Sequence, residues 1–300
     1  MVAVDGSRGA HHAFKCALAM ATGPFDKIVV IHSFSAKQLA FLATERQPDN
    51  IRMRYRAELS DSPLDNAIMI EERPDGVTTK EHVCFLANAN KVDLLVVGFT
   101  QEHSSRDHAR NGHILGSMVD LSMRRAFCTT VIVKPTSVLR QNFGASDSQH
   151  CLVFVDGTDE AEEAYRVADS HVCAGDRLTV LHLLDVHQQP YLPTTKQWVH
   201  IREHYRTEYG VAVQQVVKDP GRSITQHILE HAALLQPNFL VIGVDLIEEW
   251  QSTKVLHSSL SDAIVEGNKG TSRINIICSC LKTEKFLDFA DKALRVPCLA

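Results

Sequence analysis

The chain carries one short sequence pattern twice, about half its length apart, and a duplication of that kind constrains the fold more than any single residue does. Val2-Ala3-Val4-Asp5-Gly6-Ser7 opens the first half, and Val153-Phe154-Val155-Asp156-Gly157-Thr158 opens the second. Each is a short apolar strand that ends in Asp, then Gly, then a hydroxyl residue suited to cap a helix. Behind the first hydroxyl, Ala10, Phe14, Ala17, Leu18 and Ala21 recur at helical spacing. Ala161, Tyr165, Ala168 and Val172 do the same behind the second.

The correspondence continues along both halves. Val29-Val30-Ile31-His32 matches Thr179-Val180-Leu181-His182, a buried strand ending in His. Asp93–Gly98 matches Asn238–Gly243, and the last strands are Thr129–Lys134 and Arg273–Cys278. Continuous apolar strands suit a parallel sheet covered by helices on both faces. Between them, Ala36–Ala57 reads as a helix with a loop, Asn66–Ile70 as a strand and Val77–Asn90 as a helix. Trp198–Tyr209, Val211–Val217 and Ser223–Leu235 repeat that order. Alternation with short links predicts right-handed βαβ units. The expected architecture is α/β: two tandem Rossmann-like domains, each an open five-stranded parallel sheet flanked by helices. Residues 1–136 form the first and 149–282 the second. A polar linker spans 137–148, and residues 283–300 form a helical tail.

The chain has 300 residues, 44% of them hydrophobic, and a formal net charge of -5. No basic surface is implied, which argues against a nucleic-acid partner. No apolar run is long enough to cross a bilayer, so no membrane role is expected. The eight Cys form no Cys-x-x-Cys pair, which argues against structural zinc and for reduced thiols in the cytoplasm. The chain opens inside a strand without lead-in residues, so the reading places the original start upstream.

In an open parallel sheet, ligands sit beyond the carboxyl ends of the strands where strand order reverses. Asp5, Ser33 and Gly98 fall at such ends. Asp5 can accept hydrogen bonds from a ribose or an adenine edge, or it can brace the turn into the helix; the sequence leaves both open. Gly98 is followed by Gly112 and by Leu115-Gly116-Ser117 ahead of a helical run at Met118–Ala126. Glycines let backbone approach a phosphate, and free N–H groups at a helix start favour an anion.

With those residues in view, the whole chain resembles a tandem universal stress protein. The carrying segments are Val2–Ser7, Val30-Ile31-His32, Asp93–Gly98, Leu115-Gly116-Ser117 and Cys128–Pro135. The resemblance implies an adenine nucleotide alpha hydrolase-like fold and a Gly-x2-Gly-x9-Gly-Ser/Thr loop that wraps the phosphates of ATP. It places Asp5 and the Ser33 backbone on the nucleoside, and Val97, Gly98, Gly116, Ser117 and Met118 around the rest, with Mg2+ accompanying the phosphates. It also implies pairing through the last strands, either within the chain or across a homodimer.

The sequence departs from that pattern. Gln101 replaces the second glycine, and Gly116 lies about five residues late, beyond a loop holding His103, Arg106, His108, Arg110 and His113. Gly112 is a candidate replacement for the missing glycine. In the second half Gly243 survives, but Leu246 and Leu260-Ser261 replace the loop glycines, and Glu248 and Glu249 oppose phosphate. That half is expected to bind no nucleotide. His103, His108 and His113 are spaced unfavourably for a shared metal. No nucleophile elbow, P-loop or catalytic pair is present, so no enzyme is expected. Two functions remain: a nucleotide-binding regulatory module, and a nucleotide-free scaffold of the same fold whose apolar last strands, Val131-Ile132-Val133 and Ile274–Ile277, pair with each other.

Overall fold

The computed structural model describes residues 1–21, 23, 25–60, 62, 65–99, 117–134, 148–184, 194–217, 219, 222, 224–244 and 274–280. The first half runs β1 (Val2–Ala3), α1 (Arg8–Met20), β2 (Lys27–Phe34), α2 (Pro48–Leu59), β3 (Asp65–Glu72), α3 (Thr79–Ala89), β4 (Leu94–Gly98), α4 (Ser117–Arg125) and β5 (Thr129–Val133). The second runs β6 (His150–Val155), α5 (Asp159–His171), β7 (Arg177–Leu184), α6 (Thr194–Tyr209), β8 (Val213–Val217), α7 (Ile224–Leu235), β9 (Phe239–Val244) and β10 (Asn275–Cys280).

The helix starts follow from side-chain chemistry. Ser7 Oγ accepts from the Ala10 N–H and Thr158 Oγ1 from the Ala161 N–H, so the two hydroxyls of the repeat cap α1 and α5 alike. Thr78 and Glu81 form a reciprocal capping box on α3, and Pro48 opens α2 where no N–H is needed. Gly6 and Gly157 both carry positive φ, +84° and +88°, at the turns that feed these caps.

Several boundaries differ from the sequence expectation. Within Ala36–Ala57, read as a helix with a loop, the loop part holds two 3-10 turns, Ala36–Phe41 and Thr44–Arg46, and the helix is α2, which runs on to Leu59. β2 and β7 continue past their His by two residues, and β3 is longer than Asn66–Ile70 at both ends. Ala21 and Val172 cap their helices rather than extend them. Residues 137–147 of the linker and the C-terminal tail lie outside the described residues.

All ten described strands form one sheet, ordered β3-β2-β1-β4-β5-β10-β9-β6-β7-β8. Within each half every pairing is parallel and the order is the same. The halves therefore do not close as separate five-stranded sheets. β5 and β10 join them antiparallel, with Ile276 opposite Ile132, Ile277 opposite Val131 and Cys278 opposite Thr130. The join buries two edges that would otherwise expose unpaired backbone and apolar side chains.

One apolar layer lies on each face, and each crosses the join. Phe14, Tyr55, Val131, Tyr165, Tyr205 and Ile277 belong to the layer under α1, α2, α5 and α6. Leu95, Val97, Val119, Ile132, Ile228 and Ile276 belong to the layer under α3, α4 and α7. Val131, Ile132, Ile276 and Ile277 are essentially fully buried. Burying a side chain of this size stabilises by ~1.5–3 kcal/mol.

Candidate functional site

Because β1 and β4 are neighbours and parallel, Asp5 and Gly98 project from the same edge of the sheet. This is where strand order reverses: α1 carries the chain from β1 to β2 on one side, and α3 returns it from β3 to β4 on the other. The carboxyl end of β2 brings Ser33 to the same edge. The candidates Asp5, Ser33, Val97 and Gly98 are thus assembled by the fold. Met118 is partly buried against the apolar layer in the first turn of α4, and its carbonyl accepts from Ser122 Oγ at 2.7 Å. Ser117 is the first residue of α4 rather than the residue before it. Gly112 and Gly116 lie outside the described residues, with Gln101 and the loop histidines and arginines.

Asp5, Ser33 and Gly98 each have a structural partner. Asp5 Oδ1 accepts from the Ser7 N–H at 2.9 Å, bracing the turn into α1. Asp156 does the same in the second half, accepting from the Thr158 N–H at 3.0 Å and from its hydroxyl at 2.7 Å. Bracing is therefore common to both copies. The Val97 side chain is core, so only its backbone can border a ligand.

Gly98 is explained by packing. A Cβ added there would sit 2.6 Å from the Gly9 carbonyl oxygen of α1, and one added at Gly243 would sit 2.5 Å from the Glu160 carbonyl oxygen of α5. Real atoms do not approach so closely, so both glycines let a helix start lie directly on a strand end. In the first half this holds the α1 N-terminus at the point where strand order reverses.

Ser33 and His82 form a pair that the sequence reading missed. Ser33 Oγ lies 2.9 Å from His82 Nδ1, and both residues are buried. Burial pushes the His82 pKa below the ordinary imidazole value; Glu71 opposes the shift and Arg73 adds to it. The pair belongs to the first half alone: β2 and β7 align through Val30 and Val180, opposite Val2 and Val153, which sets Leu183 where Ser33 stands. The equivalent His227 accepts from the Asp219 N–H at 2.9 Å instead. A Ser at the end of a strand and a His three residues into a later helix share no local pattern, so nothing in the sequence joined them.

His32 is a core hydrogen-bonding residue. Its Nδ1 donates to the Val4 carbonyl at 2.9 Å, as His182 Nδ1 donates to Val155 at 2.8 Å. Burial lowers the His32 pKa, against the opposing effects of the Val4 bond and the Asp5 charge. Each imidazole ties the carboxyl end of its half's first strand to the next strand.

Tyr55 is the second residue the sequence reading passed over. It is fully buried, and its hydroxyl has no hydrogen-bond partner among the described residues. Burial pushes its pKa up to about 12, Arg54 pulls it down, and the charges of Asp5 and Glu58 push it further up. The Asp5 carboxylate is therefore within electrostatic reach of an unsatisfied hydroxyl. Tyr205 is likewise buried, and burial is the main cause that raises its pKa, with the charges of Glu162, Tyr209 and Asp156 adding to it. The 3-10 turn at Thr44–Arg46 covers the edge from above, its Glu45 carbonyl lying where a Gly6 side chain would stand.

Other chemistry is sparse. Among the described residues no cluster of three or more His, Cys, Asp or Glu could hold a metal. Burial raises the thiol pKa values of Cys16 and Cys151 to about 12 and of Cys84 to about 11, which makes them unreactive. Among the described residues no helix is long and apolar enough to cross a membrane.

Comparisons with known proteins bear on this geometry. The model of the universal stress protein family matches residues 1–134, the half that holds the assembled edge. No curated protein sequence matches the chain. Among solved structures, a universal stress protein from Archaeoglobus fulgidus DSM 4304 superposes with a TM-score of 0.64 at 12% identity, covering 93% of this chain and 97% of that one. At that identity the likeness is one of fold, and it extends over both halves. A member of the same family from Burkholderia pseudomallei covers 47% of this chain and 99% of its own, at 15% identity and a TM-score of 0.28. The cytoplasmic domain of a prokaryotic cation chloride cotransporter covers 93% of each chain, at 12% identity and a TM-score of 0.47.

Proposed function

We propose, from the match of residues 1–134 to the universal stress protein family model, that the chain is a stress-response regulatory protein whose first half binds ATP with Mg2+. The nucleotide lies over the edge formed by Asp5, Ser33 and Gly98, with its phosphates directed to the start of α4 at Ser117. One observation carries this reading: the family-matched half brings those residues to a single sheet edge at the point where strand order reverses. The α1 N-terminus, held against Gly98, adds a positive dipole end to the same place.

The proposed role is binding, with the nucleotide setting the state of the first half for a protein partner. Catalysis is not part of the proposed role: at the edge Asp5 accepts from the Ser7 N–H and His82 is paired with Ser33. The second half completes the sheet. It has Leu183 where the first half has Ser33, and its sequence lacks the loop glycines. A cytoplasmic setting accords with Cys16, Cys84, Cys128, Cys151, Cys173 and Cys278, which form no disulfide.

A nucleotide-free scaffold is the second reading. The observations that favour it are specific: Asp5 is already bonded to Ser7, and Gly98 is required by Gly9. A fluorescent ATP analogue separates the two. The nucleotide reading expects saturable binding displaced by unlabelled ATP and weakened by Asp5→Ala. Absence of displaceable binding at millimolar analogue supports the scaffold.

A further inference from the structure

The ten-stranded sheet ends at β3 on one side and at β8 on the other, and among the described residues no strand pairs with either outer edge. β3 is the longer, with eight residues against five. The Arg73 N–H donates to the Phe34 carbonyl at 2.8 Å, and the β2–β3 register is unbroken from Lys27 opposite Asp65 to Phe34 opposite Glu72. Odd-numbered residues of β3 therefore direct their N–H and C=O groups to β2, and Ile68 and Ile70 direct theirs outward. The Ile68 and Ile70 side chains pack on the layer under α1 and α2, half-buried along the edge.

A groove of about 470 Å³ lies between this edge and α2, lined by Arg52, Arg56 and Leu59 of α2 and by Ser62, Asn66 and Ile68. α2 has two charged flanks. Glu58 faces α1, where it pairs with Lys15. Arg52 and Arg56, one turn apart, lie on the other flank and are exposed. Arg52 touches Asp49 at 3.3 Å through one N–H group, which leaves the rest of its fork to the groove. The second half repeats this helix: Ile51-Arg52-x2-Tyr55-Arg56 matches Ile201-Arg202-x2-Tyr205-Arg206. There His204 meets Glu162 of α5 at 3.3 Å, leaving Arg202 and Arg206 on the flank away from α5. The strand beside them differs. Val213 is opposite Val180 as Ile68 is opposite Val30, so the exposed Gln215 stands where β3 has Ile70.

We propose that the β3 edge docks an extended acidic segment of a partner protein, which adds a strand outside β3 and sets a carboxylate in the groove under Arg52 and Arg56. The outward N–H and C=O groups of Ile68 and Ile70 pair with its main chain. Side chains alternate across a strand, so the residues two before and two after the carboxylate share its face, and apolar ones suit the Ile68–Ile70 strip. Two guanidinium groups one turn apart select a carboxylate, which accepts their N–H bonds in pairs. A nucleic acid fits poorly: it has no peptide groups to pair, and it meets Asp65, Glu71 and Glu72 on the same strand. A second copy fits poorly too, because antiparallel pairing of β3 with itself sets Asp65 of one chain beside Glu71 and Glu72 of the other. The docking edge is separate from Asp5 and Gly98, so the assignment stands whether or not the first half binds a nucleotide.

The probe is the end-blocked peptide Thr-Val-Thr-Glu-Thr-Val-Thr, which sets Glu between two Val on one face in either strand direction. It is titrated into the full chain without nucleotide, and amide exchange at Ile68 and Ile70 is followed by NMR. The expected result is saturable binding at one site, with exchange at both amides slowed about tenfold at saturation. Gln in place of the peptide's Glu, or Arg52→Gln with Arg56→Gln in the chain, weakens binding about fivefold. The matched change at the other edge, Arg202→Gln with Arg206→Gln, leaves it unaltered. No protection at millimolar peptide overturns the proposal. Equal weakening by both double variants overturns it as well, since that is general charge attraction. So does undiminished binding of the fully N-methylated peptide, which cannot pair as a strand. Protection of Ile68 and Ile70 that rises with protein concentration alone assigns the edge to a second copy and overturns the acidic partner.

Discussion

Val131 and Ile277 lie opposite each other where the two halves meet, and they are the same position of the repeat. Val131 pairs with Val96 in its own half and Ile277 with Val241 in its own, so the join passes through equivalent residues. The chain thus relates its halves by an approximate twofold running between these two side chains. Such a join needs no loop between the partners to hold it; it needs two complementary apolar strands.

That arrangement makes the join a major source of stability. Ile277→Ala removes side-chain atoms from a fully buried position shared by both halves, and a buried Ile→Ala change costs ~2–5 kcal/mol. Urea unfolding followed by circular dichroism measures it. A loss below about 1 kcal/mol would mean the join can be opened without disturbing the core.

Gly98 and Gly243 provide a test of packing against ligand binding. Gly98→Ala and Gly243→Ala each force a Cβ into helix backbone at 2.6 Å and 2.5 Å. Each should lower stability by ~1–3 kcal/mol, as overpacking does, with no nucleotide present. If Gly98→Ala leaves the unliganded protein unchanged, the close approach of α1 is not what requires glycine there.

Ser33→Ala leaves His82 Nδ1 buried without its 2.9 Å partner. The expected cost is ~1–3 kcal/mol. Ser33→Thr, which keeps the hydroxyl, should recover part of it. Equal stability of Ser33→Ala and the parent would show that the pair is not maintained in solution.

Acidification should destabilise the fold in two steps. Burial lowers the pKa values of His11, His32, His82 and His150 below 6.5 in the folded protein. The unfolded chain then binds more protons between those values and 6.5, so stability falls as pH drops through that window. Hydrogen bonds lower the carboxyl pKa values of Glu58, Glu81 and Glu162 below 4.5, so their contribution is present above 4.5 and is lost at lower pH. Urea midpoints at pH 7.5, 6.0, 5.0 and 4.0 follow both steps. A midpoint that rises from pH 7.5 to 5.0 would contradict the first.

The sequence made the strands and helix starts legible because apolar runs and caps are local signals. Val2–Ser7 and Val153–Thr158 exposed the duplication, and Ser7 and Thr158 marked the helix starts. The placement of Asp5 and Gly98 at strand ends was legible, but what each does there was not. The bond from the Ser7 N–H to Asp5 and the Gly9 carbonyl above Gly98 depend on atoms brought together by packing. Ser33 and His82 are 49 residues apart, and no periodicity links them. The strand ends at Phe34 and Leu184 were misjudged because a His inside a strand looks like its polar terminus, whereas His32 is satisfied by Val4 across the sheet.

Calorimetric titration of the full chain with ATP and Mg2+, beside Gly116→Asp, tests nucleotide binding by the first half most directly. The predicted result is saturable binding at one site per chain, lost in Gly116→Asp, where a side chain and a negative charge enter the phosphate loop. No heat and no thermal stabilisation at millimolar ATP would contradict it and leave the scaffold, while two sites per chain would contradict the assignment of binding to the first half alone.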